Sequence, residues 1–325
     1  MRAGSRKIEP ELVGQRLTLR LHDPAGGYRD LVGILESATS IRKRNGEVVT
    51  FNPDEIAIVH VVKEIADRAG KGAPLSFRIA ELEELSSLTW PALRTSELGN
   101  WKIRISHGIT YRANSVLVTG PPPHGDPGTS LDEAIANVEN IYSAAGLPAV
   151  FHLPLPLHQE LHDHLLGRGW SEMVRASFLV ADLIDLKEFA PMLSGRDIEC
   201  LNDANPTDDF LALHGDQGLK EIMQSYPARY VALRSHGEIV ATARVAISGT
   251  WAILTRLFVA ENQRRKGLAE LLMLAAMKIS TDEGATKIAL QLDQRNAAAQ
   301  ALYEKLSFRE HHTYTFIEKI NKVGH

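Results

Sequence analysis

The sequence predicts a mixed α+β protein in three parts, a small β-barrel followed by two halves that share one order of elements. Short apolar-polar alternations fill residues 12–62, the period expected of half-buried strands. From Ile79 onward, helical periodicity alternates with strand-like runs, which points to α/β or α+β layers. The two later segments also match each other at a single offset, the signature of a duplication.

The first part is set by its turns. Arg16 to Leu21 alternates, and Asp23-Pro24-Ala25-Gly26-Gly27 then turns the chain. Leu31 to Leu35 follows, and Arg44-Asn45-Gly46-Glu47 carries the Asn-Gly pair that favours a tight hairpin. Val48 to Phe51 and Ile56 to Val62 complete about five strands. So many short strands in so small a span suggest an SH3-like barrel over residues 10–64. Arg42-Lys43-Arg44 reads as a solvated turn. Residues 65–78, rich in charge, Gly and Ala, read as a linker.

The halves are expected at 79–190 and 196–320. Gly146 corresponds to Gly284, His158 to Asn296, Trp170 to Phe308 and Phe178 to Phe316, each pair separated by 138 (284 − 146). Both copies read helix, Gly, apolar strand, helix, aromatic, strand. They differ where chemistry would sit. The second has Arg264-Arg265-Lys266-Gly267-Leu268-Ala269 before its long helix, and the first has Pro121 to Gly128. The offset sets Leu165 against Tyr303. The second copy is therefore the working half, and the first is degenerate and structural.

Composition narrows the function classes. Apolar residues make up 44% and charged residues 23%, enough apolar material for a sizeable core. A net charge of −4 provides no field that would draw nucleic acid or a membrane surface. Cys200 is the only cysteine, so disulfides and paired-thiol metal sites are ruled out. It lies in a strand-like run and reads as an inert, partly buried thiol. No apolar window approaches the ~20 residues of a membrane helix, and residues 1–10 lack a signal-like run. A cytoplasmic protein is expected. His158 and His162 have a spacing that suits a metal on a helix, but no further ligands accompany them, so no metal is expected.

The segment from Trp251 to Ser280 carries the chemistry. Residues 252–259 read as a strand, and the helix that follows places Leu268, Leu271, Leu272, Ala275, Ala276 and Ile279 on one apolar stripe. A helix N-terminus offers unpaired amides and partial positive charge, so it accepts anions. Gly267 and Ala269 permit close approach, and Arg264, Arg265 and Lys266 add charge. Neither a Gly-Lys-Ser/Thr loop nor the three-glycine dinucleotide fingerprint is present. The pattern reads as a pyrophosphate cradle.

Arg264-x-x-Gly267-x-Ala269 after a strand resembles the R/Q-x-x-G-x-G/A signature of the GNAT acyltransferases. Residues 296–308, from Asn296 through Ala299, Leu302 and Tyr303 to Phe308, resemble that family's N-x-x-A-x-x-L-Y-x-x-x-G-F segment, with Ser307 in place of the glycine. The resemblance covers about 125 residues, 196–320, with the first copy as a degenerate relative. The arrangement is also similar to actinobacterial GNAT proteins with an SH3-like N-terminal domain, through Trp90 to Leu93, Leu98 to Trp101 and Arg112 to Ser115. Mycothiol synthase is a more distant comparison.

The resemblance implies acetyl-CoA as co-substrate and a primary amine as acceptor, joined by direct attack in a ternary complex. It implies that Leu257, Phe258 and Val259 run beside the pantetheine arm, and that amides from Arg265 to Glu270 hold the pyrophosphate. Tyr303 would protonate the leaving thiolate, since a phenol near pKa 10 lies close to a thiol near 8.5. Asn296 would cap its helix or touch the cofactor arm. Strand 251–259 contains no carboxylate, so Asp293 is the candidate base, acting through water. The barrel is expected to offer a surface to a protein partner. Alternatives are a non-catalytic acyl-CoA sensor or adaptor, and a mycothiol-synthase-like enzyme acting on a small molecule.

Overall fold

The computed structural model describes residues 8–24, 27–43, 46–61, 75–183, 197–214 and 218–320. Five strands open the chain: β1 (Arg16–His22), β2 (Tyr28–Ser37), β3 (Ser40–Arg42), β4 (Val48–Thr50) and β5 (Ile56–Val61). They form one antiparallel sheet in the order β4-β3-β2-β1-β5. Alternation explains its core, because Leu17, Leu19 and Leu21 of β1 point inward onto Leu31, Leu35, Ile41, Phe51, Ile56 and Val59. The expected hairpin after β3 is present. The Lys43 amide donates to Glu47 O at 2.8 Å and the Gly46 amide to Lys43 O at 3.0 Å, while Arg44 and Asn45 lie outside the described residues.

The other face of β1 is buried as well, which alternation alone does not predict. Arg20 is 2% exposed and binds Asp30 through two parallel hydrogen bonds of 3.0 Å. This planar fork-to-carboxylate pairing satisfies both charges inside the protein.

Two compact units emerge, and they do not follow the linear segments. One joins residues 1–67 with 182–217 and 227–288. The other joins 68–181 with 218–226 and 289–325, so the chain passes from the first to the second within β15 (Lys287–Asp293). In the first unit, β11 (Glu199–Asp203), β12 (Arg229–Ser235), β13 (Glu238–Ser248) and β14 (Trp251–Val259) form an antiparallel meander. Cys200 sits in β11, and burial pushes its thiol pKa up, as befits an inert thiol.

The second unit opens with α1 (Leu75–Thr89). The described end of the expected linker, residues 75–78, is therefore already helical, and 65–74 lie outside the described residues. Then come β6 (Arg94–Leu98), β7 (Trp101–Ile105), β8 (Val116–Val118), α2 (Leu131–Ala144), β9 (Val150–Leu155), α3 (Gln159–Gly167) and β10 (Ser171–Asp182). Later elements in chain order are α4 (Asp208–His214) of the first unit, α5 (Leu219–Gln224) of the second, α6 (Leu268–Asp282) of the first, and α7 (Ala297–Lys305) and β16 (Arg309–Glu318) of the second. The second unit's strands run β10-β16-β9-β8-β7-β6, and only β8 and β9 pair in parallel.

Element bounds repeat at the offset seen in the sequence. The ends of α2 and α6, the starts of α3 and α7, and the starts of β10 and β16 are each 138 apart (282 − 144, 297 − 159, 309 − 171). On α6 the predicted apolar stripe is buried at Leu268, Leu271, Leu272, Ala275 and Ala276. Met273, Met277 and Ser280 are buried too, and Ile279 is only half-buried, so the covered arc is wider than one stripe. The helix packs on β12, β13 and β14. Among the described residues no helix is long and apolar enough to cross a membrane.

A polar cluster runs through the core of the second unit. The Glu83 carboxylate of α1 is 1% exposed and accepts a hydrogen bond from His312 Nε2 at 3.0 Å. Its other oxygen faces His152 Nε2 at 3.4 Å. Arg104 donates to His152 Nδ1 at 3.1 Å and to Ser115 Oγ at 2.7 Å, since a guanidinium can only donate. Burial opposes the Glu83 charge, but His152 and His312 outweigh it and hold the carboxyl well below its usual range. Burial depresses His152, and with His312 and Arg78 it brings His311 down to about 4.

These shifts give stability a definite pH dependence. In the unfolded chain the imidazoles take up protons near 6.5, whereas the folded ones stay neutral to lower pH. Stability is therefore lost as pH falls from 6.5 through about 4, and Glu83 adds a loss in the same direction below its ordinary 4.5. Calorimetry should show a lower melting temperature at about pH 5 than at about pH 7.5, and no drop would contradict this charge assignment.

Candidate active site

In the first unit, β14 leads into the basic loop. Its buried run, Trp251 to Thr255, fits an interior strand. The register then shifts, with Thr255 opposite Arg244 but Phe258 opposite Thr242, so Arg256 and Leu257 together face one residue. Arg256 adopts φ +56°, the local twist of a bulge. Beyond it Leu257, Phe258 and Val259 are only half-buried. Arg264 Nε donates to Val259 O at 3.3 Å, and its guanidinium lies 5.9 Å from the Phe258 ring centre. The basic turn is thus folded back onto the end of its own strand.

Two left-handed residues, Arg265 (φ +65°) and Gly267 (φ +77°), bend the chain into α6. Gly267 is the N-cap and brings no side-chain oxygen, so no cap hydrogen bond is made. The amides of Leu268, Ala269 and Glu270 therefore open the helix without a side-chain cap, and the first intrahelical bond runs from Leu271 N to Gly267 O at 3.1 Å. Arg264, Arg265, Lys266 and Gly267 are exposed. An L side chain at position 267 would carry the left-handed penalty.

The corresponding start in the first half is built differently. Ser130 caps α2 by accepting from the Glu133 amide at 3.4 Å, and Asp132 and Glu133 fill the first turn with negative charge. Residues 121–128 fold inward. Trp101 Nε1 donates to His124 O at 2.7 Å, the Asn100 amide to Asp126 O at 2.9 Å, and His158 Nδ1 to Pro123 O at 3.1 Å. One helix start is open and basic, and the other is self-capped and acidic.

The second unit gathers the remaining expected residues along β15 and α7. Asn296 caps α7, its Oδ1 accepting from Ala299 N at 3.1 Å. Asp293 accepts from Arg295 through its amide at 2.9 Å and its Nη2 at 2.6 Å, and that pairing holds its carboxyl below the usual range. Tyr303 is 5% exposed, burial alone raises its phenol to about 12, and its ring packs against Phe308 at 5.6 Å. Among the described residues its hydroxyl has no hydrogen-bond partner. Leu306 N and Phe308 N both donate to Tyr303 O, at 3.1 and 2.9 Å. Ser307, where the family has glycine, takes φ +64°, and the offset partner Gly169 takes φ +82°.

Of the paired histidines, His158 precedes α3 as its N-cap residue, while His162 bonds Asp163 and Glu172. The Glu83–His152–His312 cluster was not legible in the sequence. The sequence sets His311 beside His312, but Glu83 lies 229 positions away from its partner.

Residues 77–317 match the family described as probable histone acetyltransferase Rv0428c, C-terminal. The uncharacterized N-acetyltransferase YobR of Bacillus subtilis (strain 168) is 26% identical over 246 residues, spanning 72% of this chain and 97% of that protein. A GCN5-related N-acetyltransferase from Kribbella flavida superposes with a TM-score of 0.60 at 18% identity, covering 77% of this chain and 97% of its own. A tandem GNAT protein from the clavulanic acid biosynthesis pathway gives 0.50 at 13% identity, covering 73% and 87%. At these identities the two solved structures establish the fold, a mixed α+β architecture of GNAT type.

Replacing Asn296 with Ala should cost about 1 kcal/mol, the usual worth of such a cap, whereas Asp should retain most of it. Denaturant melts of both variants check this, and equal losses would mean the cap is not what stabilises α7.

Proposed function

Since the chain belongs to the Rv0428c C-terminal family and is an N-acetyltransferase of GNAT type, we propose that it transfers the acetyl group of acetyl-CoA to a primary amine. The observation that carries the cofactor assignment is the uncapped start of α6, bent open by Arg265 and Gly267 beside three exposed cations. The amides from Arg265 to Glu270 would take the pyrophosphate oxygens, with Arg264, Arg265 and Lys266 neutralising their charge. Leu257, Phe258 and Val259, past the bulge, would offer backbone to the pantetheine arm.

In this reaction the amine nitrogen attacks the thioester carbonyl, the C–S bond breaks, and one proton passes from nitrogen to sulfur. Tyr303 is suited to the sulfur, because burial keeps the phenol protonated at every working pH. With its value near 12 it acts as a hydrogen-bond donor that yields its proton only as charge builds on sulfur. Asp293, already paired with Arg295, is a weak base, so the amine must reach the site largely neutral. Most of the rate would then come from holding amine and thioester together. Protein lysines head the acceptor panel, followed by N-terminal amines, polyamines and the aminosugar of a mycothiol-synthase-like reaction.

The repeat in element bounds supports a tandem duplication, and the self-capped start of α2 supports a degenerate first half. The strand order and core of the opening sheet support an SH3-like barrel that engages a protein partner. The absence of any carboxylate on β14 favours a second reading, an acyl-CoA sensor without turnover.

Calorimetric titration of acetyl-CoA should give micromolar binding that an Arg265→Glu/Gly267→Asp double variant loses. No heat with the native chain would remove the cofactor assignment. Tyr303→Phe should lose about 10²-fold or more in turnover, the scale of general acid catalysis, while keeping acetyl-CoA affinity. An unchanged rate would take Tyr303 out of the chemistry, and no rate in either protein would favour the sensor.

A further inference from the structure

β16 is the strand that follows the Tyr303 helix, yet first-half strands flank both its edges: β10 pairs with it from Ser171↔Glu318 to Val180↔Arg309, and β9 from Leu155↔Thr313 to Val150↔Glu318. Its register against β10 breaks at two places, once beside Met173 of β10 and once where His312 faces Phe178 and Glu310 faces Leu179, the latter leaving His311 without an opposite residue. This bulge turns both imidazoles to one side, and their Nδ1 atoms meet at 2.9 Å. His312 then stacks on Phe178 at 4.7 Å and donates through Nε2 to buried Glu83.

We propose that Glu83 is a positioning residue for Tyr303: by holding His312 it fixes the register of β16, and with it the α7–β16 corner on which the phenol stands. A strand flanked on both sides can slip only in whole residues, and a slip by one turns every side chain to the opposite face. Any slip would take the His312 hydrogen bond from the buried Glu83 carboxylate and leave it only the longer approach of His152 Nε2 at 3.4 Å, a loss that a buried charge strongly disfavours. The contact therefore selects one register among several of similar backbone hydrogen bonding. A displacement of one residue moves the strand about 3.3 Å, far more than a catalytic group tolerates.

The corner is short and taut. Phe308 N and Leu306 N close on Tyr303 O, Ser307 takes the left-handed turn, and Phe308 packs on the Tyr303 ring. His312 lies four residues beyond Phe308, on the strand that begins at Arg309. The far end is secured as well: Tyr111 Oη donates to Glu318 at 3.0 Å, and its ring stacks on Phe316 at 5.3 Å. The first half, whose α2 start is closed by Ser130, thereby acts as the bed for the last strand of the working half. This assignment rests on the acetyl-transfer reading only for the role of Tyr303.

The test is a double-mutant cycle of Glu83→Gln and Tyr303→Phe, with His312→Gln as a second probe of the same contact should Glu83→Gln fail to fold. Glu83→Gln should lower kcat about tenfold, the cost of a slightly misplaced group, and leave the Kd for acetyl-CoA within about twofold. In the Tyr303→Phe background it should cost nothing further, because the two act through one atom. Losses that multiply, or an unchanged kcat, overturn the proposal. Hydrogen exchange supplies a readout that needs no turnover: the Leu306 and Phe308 amides should exchange faster in Glu83→Gln, while those of α6 stay as they were. Unchanged exchange at the corner also overturns it. Absent turnover in the native chain with faster exchange at the corner would instead remove the acetyl-transfer reading and leave Glu83 as the register contact.

Discussion

β16 is a strand whose neighbours on both edges come from far earlier in the chain, and the second unit depends on that arrangement. Its backbone hydrogen bonds are committed to β9 and β10 before any side chain is considered. What side chains add is choice of register. Burying Glu83 in an apolar unit is tolerable only where His312 and His152 stand beside it, and that occurs at one alignment. The same cluster ties α1, β7 and β9 together through Arg104 and Ser115, so one ionised group organises several elements.

The two helix starts show how one scaffold supports opposite electrostatics. The α2 N-terminus is satisfied from within, by Ser130 and by the carboxylates of its first turn. The α6 N-terminus is left open by a glycine cap and surrounded by cations. The macrodipole is the same in both, so what differs is whether the chain itself supplies the anion.

Burial and pairing then sort the titratable groups. Burial raises the Tyr303 phenol to about 12 and keeps it protonated. Asp293 is half-exposed and bound by Arg295, which keeps it charged and poorly basic. In the proposed acetyl transfer, proton release from the acceptor would rest more on the amine's own equilibrium than on a strong enzyme base. Positioning would then be the dominant contribution, which gives the rigidity of the α7–β16 corner its place in the proposal.

Local chemistry was readable directly. The strand read at 252–259 and found at Trp251–Val259, the helix after Gly267, the cap at Asn296 and the offset of 138 follow from residue types and spacing, because caps, turns and periodicity are properties of a few neighbouring residues. The burial of Arg20 against Asp30, the helical reading of 75–78, the extra covered arc at Met273 and Met277, and the grip of Glu83 on His312 were decided only by tertiary structure. Each depends on which surface another element brings to it. A single chain read in order contains no term for a partner 229 residues away, so the sequence by itself determined the elements and the anion-ready turn, and the fold decided which of its polar residues would be sealed inside and paired.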